Sequence, residues 1–85
     1  MYKKTLREII RDISTLIPDR EFVLDSYKPG NDRLYRMEEL RKTHMATVVI
    51  RTYPHQGRLT GTTMRKYLEG FLDGVKEMYS EEQPP

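Results

Sequence analysis

Eighty-five residues, 36% of them apolar and 33% charged, make one domain near the lower size at which a single hydrophobic core supports itself unaided. The absence of Cys excludes a disulfide framework and thiolate chemistry, and no apolar run approaches the roughly 20 residues of a spanning helix. The formal net charge of +2 conceals two opposed regions: Leu40 to Leu68 hold six of the 15 Lys and Arg and none of the 13 Asp and Glu, which favours an anionic partner such as phosphate or an acidic protein face.

Leu6, Ile9, Ile10, Ile13, Leu16 and Ile17 recur at steps of three and four, which predicts an amphipathic helix ended by Pro18. Glu21 to Tyr27 is rich in Phe, Val, Leu and Tyr and closes at Lys28-Pro29-Gly30-Asn31-Asp32. There Pro and Gly are expected to supply the fixed and the positive φ of a hairpin reversal. Arg33 to Leu40 fits helical spacing through Leu34, Met37 and Leu40, but its place after a turn favours a returning strand. Met45 to Tyr53 is the clearest strand, from its β-branched and aromatic content, and Pro54 and Gly57 close it. After a loop from His55 to Thr60, Met64, Tyr67, Leu68, Phe71, Leu72, Val75, Met78 and Tyr79 predict a second helix, with Thr62 or Thr63 as its N-cap. The fold class is therefore α+β: α-β-β-β-α, a three-stranded antiparallel meander with two helices on one face. Residues 1–80 form the single domain, and the acidic, Pro-ended tail of 81–85 is expected to fray.

The start of the second helix, Thr60-Gly61-Thr62-Thr63 followed by Arg65 and Lys66, combines hydroxyls, free backbone N–H groups and two cations, a set able to hold a phosphate or carboxylate. The plainer reading is an ordinary solvated first turn. Arg41, Lys42, Arg51 and Arg58 complete the basic set, and the strand order allows the first two and the last two to lie at opposite ends of the sheet. Gly70 and Gly74 sit four apart in the helix, where each Gly costs about 1 kcal/mol relative to Ala, so a partner, a second subunit or the first helix is expected to approach that face. Tyr27, Tyr35 and Tyr53 are placed on or near the sheet, as stacking surfaces or as half-buried packing. His44 and His55 lack metal-ligand spacing, and no Ser has evident His and Asp companions. Glu38 and Glu39 are adjacent carboxylates that a strand directs apart. No enzyme, cofactor or metal site is expected.

The element order is similar to that of double-stranded RNA-binding domains, a likeness that places Arg65 with Lys66, Lys28 with Asn31, and Arg7 with Arg11 at the RNA-contacting positions. The chain departs from that family in lacking its Gly-Pro-x-His hairpin and its basic, alanine-containing run at the second helix. Leu6-Arg7-Glu8-Ile9 in the opening helix, Val49-Ile50-Arg51 in a strand, and Phe71-Leu72-Asp73-Gly74 before Glu81-Glu82 resemble small phage anti-CRISPR proteins. That resemblance implies inhibition without chemistry, by occupying a functional surface.

The expectation is a non-catalytic, cytoplasmic binding module, of the style of phage or mobile-element accessory proteins, that inhibits or regulates a protein or nucleoprotein partner by occlusion. Its binding residues would be Arg41, Lys42, Arg51, Arg58, Thr62, Thr63, Arg65, Lys66, Gly70 and Gly74. Direct binding of double-stranded RNA or DNA is the alternative, and a third reading is a homodimer or larger oligomer holding a small anionic ligand. No membrane partner is expected.

Overall fold

The computed structural model describes residues 3–82, with side chains described through residue 78. Helix α1 spans Leu6–Leu16 and opens with a capping box, in which the Thr5 hydroxyl accepts from the Glu8 N–H while the Glu8 carboxylate accepts from the Thr5 N–H. This satisfies two backbone donors that a helix start leaves unpaired. The strands are β1 (Glu21–Tyr27), β2 (Leu34–Lys42) and β3 (Thr47–Tyr53), followed by a two-residue β4 (Leu59–Thr60) and helix α2 (Gly61–Glu82). The order α-β-β-β-α holds, with β4 as an addition within the expected loop.

All pairings are antiparallel, in the order β1-β2-β3. Because β1 occupies one edge of β2 down to Leu34, β4, which pairs Thr60 with Leu34 and Leu59 with Tyr35, lies on the edge that β3 occupies further along. β3 and β4 are therefore two pieces of one ladder, interrupted by residues 54–58, where a cis Tyr53–Pro54 bond and Gly57 at φ 74° carry the chain out and back. Only Gly57 needs the left-handed region. Gly30, expected to need it, does not, because the β1–β2 connection of residues 28–33 is long enough to reverse through ordinary dihedrals.

Alternation along β2 separates the faces. Tyr35, Met37 and Glu39 face the helices, whereas Leu34, Arg36, Glu38 and Leu40 point outward, which resolves the ambiguous segment as a strand of period two. The helix-facing side buries Phe22 and Met37 against Ile9, Ile10, Ile13 and Ile17 of the α1 region and Met64, Leu68, Leu72 and Val75 of α2. Both helices thus share one face. The outer face carries an ionic lattice in which Asp25 bridges Arg36 and Arg58, and Arg36 also binds Glu38.

Three boundaries differ from expectation. β2 continues to Lys42 and β3 begins only at Thr47, because Thr43 takes the turn: its hydroxyl accepts from the Met45 and Ala46 N–H groups and donates to the Ala46 carbonyl. Helix α2 begins at Gly61, so Thr62 and Thr63 lie within its first turn and are not caps; β4 holds the chain in strand geometry up to Thr60, whose hydroxyl bonds Thr63 Oγ1. The same helix runs through Glu82, past the point of expected fraying, while residues 83–85 lie outside the described residues.

One charge sits inside this core. Glu39 is 4% exposed and receives Arg20 on both oxygens, Nε to Oε2 at 2.8 Å and Nη2 to Oε1 at 3.1 Å, with the Tyr53 hydroxyl donating to Oε1 at 2.8 Å. Burial pushes the carboxyl up, but the hydrogen bonds from Arg20 and Tyr53, with the charges of Arg20 and Arg51, outweigh it and hold its pKa below the ordinary value. The same burial, with the bond to Glu39, pushes the Tyr53 phenol up. A carboxylate with a depressed pKa stabilises the fold fully above its unfolded value of about 4.3 and loses that contribution as pH falls through the folded value. Arg20→Met strands the buried charge and should lower stability by about 2 kcal/mol at pH 7 in urea unfolding, the usual cost reduced for the partial exposure of Arg20. The deficit should shrink below about pH 4, as Glu39 protonates in both proteins. A variant as stable as the parent at pH 7 would remove the ion pair from the account of the fold.

Candidate functional site

Beyond Glu39 the β2–β3 hairpin leaves the helices behind. Residues 41–51 are exposed throughout, and β3 reaches α2 mainly through Tyr53, whose ring meets Phe71 edge-on at 5.2 Å and Phe22 at 6.1 Å. The radius of gyration is 14.2 Å, against about 12 Å for a compact chain of this length. The Thr43 turn closes the arm with side-chain and backbone bonds, including Thr43 N–H to the Ala46 carbonyl at 2.8 Å.

Its apolar residues are left exposed among the described residues. Met45 at the tip is 90% exposed, and Val48, Val49 and Ile50 are 41%, 48% and 41% exposed. A bulge makes Ile50 the extra residue of β3, since Glu39 pairs with Arg51 and the next residue, Leu40, with Val49. The bulge turns Val48 toward the side of Arg41 and Val49 toward the side of Leu40, so both faces of the arm carry an aliphatic side chain.

The bulge also decides which cations meet. Arg51 pairs with Glu39, two residues from Arg41, and Arg20, Arg41, Lys42 and Arg51 line one open cleft of about 460 Å³ together with the carboxylates Asp19, Glu21 and Glu39. Arg41, Lys42 and Arg51, which the strand order allowed to lie at opposite ends of the sheet, thus come together. Arg41 and Lys42 make no ion pair or side-chain hydrogen bond among the described residues. Arg51 neighbours Tyr53 and Glu39 and borders a second cleft of similar size, shared with Val49, Tyr53, His55 and Tyr67.

The other sequence candidates lie elsewhere. Arg58 belongs to the outer lattice, with Nη2 on Asp25 and its guanidinium 5.6 Å from the Tyr27 ring, so its charge is already partnered. Arg65 turns its Nη1 onto the Lys4 carbonyl, fastening the segment before α1 to α2. That leaves Thr62 and Thr63 exposed on the first turn and Lys66 on the second, without the second cation expected beside them. Nothing lies within 4 Å of the position a Cβ would take at Gly70 or Gly74, so α1 does not approach there. The tyrosines divide: Tyr53 is packed among Phe22 and Phe71, Tyr35 is half-buried beside the core, and Tyr27 is exposed against Arg58.

No cluster of three or more His, Asp or Glu able to hold a metal occurs among the described residues, and no helix there is long and apolar enough to cross a membrane. No family model, curated protein or solved structure matches this chain.

Sequence reasoning missed the apolar half of this site, Met45 and Val48 to Ile50, because β-branched residues in a strand read first as core. The signal available was that every residue of the Leu40–Leu68 stretch with a charge is basic, which is unusual for a segment meant to be buried. Since open space surrounds both glycines of α2, Gly70→Ala and Gly74→Ala should each raise stability by up to about 1 kcal/mol, measured as an increase in urea midpoint. A decrease at either position would reveal a close contact that the fold does not show.

Proposed function

We propose that this protein is a non-catalytic binding module that inhibits or regulates a protein or nucleoprotein partner by covering part of its surface, in the manner of small phage or mobile-element accessory proteins. One observation carries this reading: a hairpin arm projects from the core with aliphatic residues exposed on both faces and with Arg41, Lys42 and Arg51 gathered at its base. Exposed β-branched residues on an edge strand are a hazard that a solitary domain has reason to avoid. Their presence beside Arg41 and Lys42, which make no ion pair or side-chain hydrogen bond among the described residues, supports a surface used for association, with the apolar residues supplying affinity and the cations favouring an acidic partner face.

Direct nucleic-acid binding is less well supported. Phosphate contact needs only the cations, whereas the arm offers aliphatic surface, and Tyr53, the aromatic nearest to Arg51, is committed to packing with Phe22 and Phe71. The start of α2, with Arg65 tied to Lys4, contributes less to an anion site than its sequence implied.

Immobilised protein should retain a partner from a bacterial lysate, and both Val49→Asp and the double variant Arg41→Glu with Lys42→Glu should abolish retention. Because these positions are exposed, each variant should keep its stability within about 0.5 kcal/mol of the parent. Fluorescence anisotropy against duplex RNA, duplex DNA and single strand at about 50 and 200 mM salt should show no tight complex. Binding that weakens steeply between those salts would instead make phosphate recognition the activity.

A further inference from the structure

β1 ends the sheet on the side opposite β3, and the order β1-β2-β3 leaves its second edge without a neighbouring strand among the described residues. It pairs with β2 residue for residue from Glu21 to Tyr27, whereas β3 carries the bulge at Ile50, a device that blunts an edge. β1 holds no Lys, Pro or bulge of its own. Its seven residues, at about 3.4 Å each, present roughly 24 Å of main-chain N–H and C=O groups to an incoming strand.

Helix α1 stands over this strand, its main packing partners being β1 and α2. Phe22, Leu24 and Ser26 lie opposite Glu39, Met37 and Tyr35 and so turn to the helix side, which leaves Glu21, Val23, Asp25 and Tyr27 on the outer face. On α1, Arg7, Ile10, Arg11 and Ser14 follow at steps of three and four, and this helix face lines an open cleft of about 350 Å³ with Phe22 and Leu24. A second cleft of about 450 Å³ continues it past Arg7 and Leu24 to Leu6, Ser26, Arg33 and Tyr35. Residues of α2 line neither cleft, and β2 contributes only Tyr35, so the groove follows the free side of β1 beneath α1.

The charge of this groove selects its occupant. Arg7, Arg11 and Arg33 line it, and no carboxylate does. The acidic residues around it are partnered or turned elsewhere: Glu8 closes the capping box, Asp12 holds Lys4, Asp25 holds Arg36 and Arg58 on the outer face, Asp19 and Glu21 line the cleft of Arg41 and Arg51, and Asp32 sits in the exposed β1–β2 connection. The guanidinium groups of Arg7 and Arg11 are exposed and make no ion pair or hydrogen bond among the described residues, while Arg33 donates to the Ser26 hydroxyl. Side chains on one face of an extended segment recur about every 6.8 Å, and Arg7 and Arg11 stand four helical residues, about 6 Å, apart. Two carboxylates at alternate positions therefore meet the two guanidinium groups in turn, with the methylenes of a Glu lying over Ile10, Phe22 and Leu24. Two copies of this chain joined antiparallel through β1 would carry both α1 helices on one face of the joined sheet, with Arg7 and Arg11 of each turned toward the other's, an unfavourable pairing. A nucleic acid has no main chain with which to complete a β-ladder.

We infer that β1 accepts an extended segment of a protein as an added strand beneath α1, with acidic side chains at alternate positions turned in toward Arg7 and Arg11 and uncharged residues between them on the outer face. Recognition has two parts: main-chain hydrogen bonds along Glu21–Tyr27, which are indifferent to sequence, and the inward carboxylates, which are not. An acidic residue at the outward positions would stand beside Glu21 and Asp25, so a uniformly acidic segment fits less well than an alternating one. This edge lies across the sheet from the β2–β3 arm, and its occupancy does not depend on the arm.

The test uses the whole protein and four capped seven-residue peptides: one alternating Glu with Thr, one with Lys in place of every Glu, and the first peptide N-methylated either at every Glu or at every Thr. Alternate residues of a strand aim their N–H groups at the same edge, so only one of the two methylated peptides blocks the ladder. The Glu–Thr peptide should bind with a Kd of about 1 mM and slow hydrogen exchange at alternate amides of Glu21–Tyr27. It should bind at least tenfold more weakly to Arg7→Gln with Arg11→Gln, and should bind Val49→Asp as it binds the parent. One methylated peptide should retain binding, while the other and the lysine peptide should leave the amides unchanged. Equal binding of both methylated peptides would overturn strand addition, equal binding of the lysine peptide would overturn the role of the arginines, and failure of the Glu–Thr peptide up to about 5 mM would reject the inference outright. None of these results alters the partner retention that Val49→Asp is expected to abolish, so the arm reading stands or falls separately. A concentration-dependent dimer that protects the same amides would assign the edge to a second copy, and duplex RNA protecting them would assign it to nucleic acid; either result displaces the acidic segment.

Discussion

The ion pair between Glu39 and Arg20 marks where this fold stops being a core and becomes a surface. Glu39 occupies a position on β2 that its alternation turns toward the helices, in register with Phe22 on one neighbour and Arg51 on the other. A carboxylate there is tolerable only because Arg20 and Tyr53 supply three hydrogen bonds and the compensating charge. Tyr53 is also the ring through which β3 joins the Phe22 and Phe71 cluster. The buried charge therefore fixes the position of the strand that carries the arm.

From that point outward, the molecule lacks material to cover what it presents. The main contacts of the two helices are with β1, β2 and β4 and with each other, and residues 41–51 of the β2–β3 hairpin are exposed. In so small a domain, a hairpin that outruns its helices exposes both faces, and aliphatic residues within it remain in water. The Thr43 hydroxyl closes the tip of the arm with bonds to Met45 and Ala46. Charges on the other face are spent within the fold: Asp25, Arg36, Glu38 and Arg58 hold β1, β2 and the start of β4 together.

Cations close in sequence proved to have different work. Arg58 and Arg65 are seven positions apart, and both are engaged within the fold, one on Asp25 and the other on a backbone carbonyl. Arg41, Lys42 and Arg51, spread over ten positions, share a cleft. Sequence distance carries no information about which carboxylate or carbonyl a long side chain will find, because that depends on strand register. Here a single bulge at Ile50 sets the register.

The helices and strands were legible because their apolar periods of three to four and of two are local properties, visible in Ile9 to Ile17, in Phe22 to Tyr27 and in Met64 to Val75. The one-sided charge between Leu40 and Leu68 was equally plain from the sequence and pointed to an anionic partner. Tertiary structure alone decided that β4 completes an interrupted ladder, that Glu39 is buried while Glu38 is not, and that Val48 to Ile50 stay exposed. Each depends on pairing between distant segments, and no local pattern states how far a hairpin extends beyond the helices meant to cover it. The sequence thus determined the elements and the one-sided charge of this stretch, and the packing of those elements decided which of its residues stay exposed.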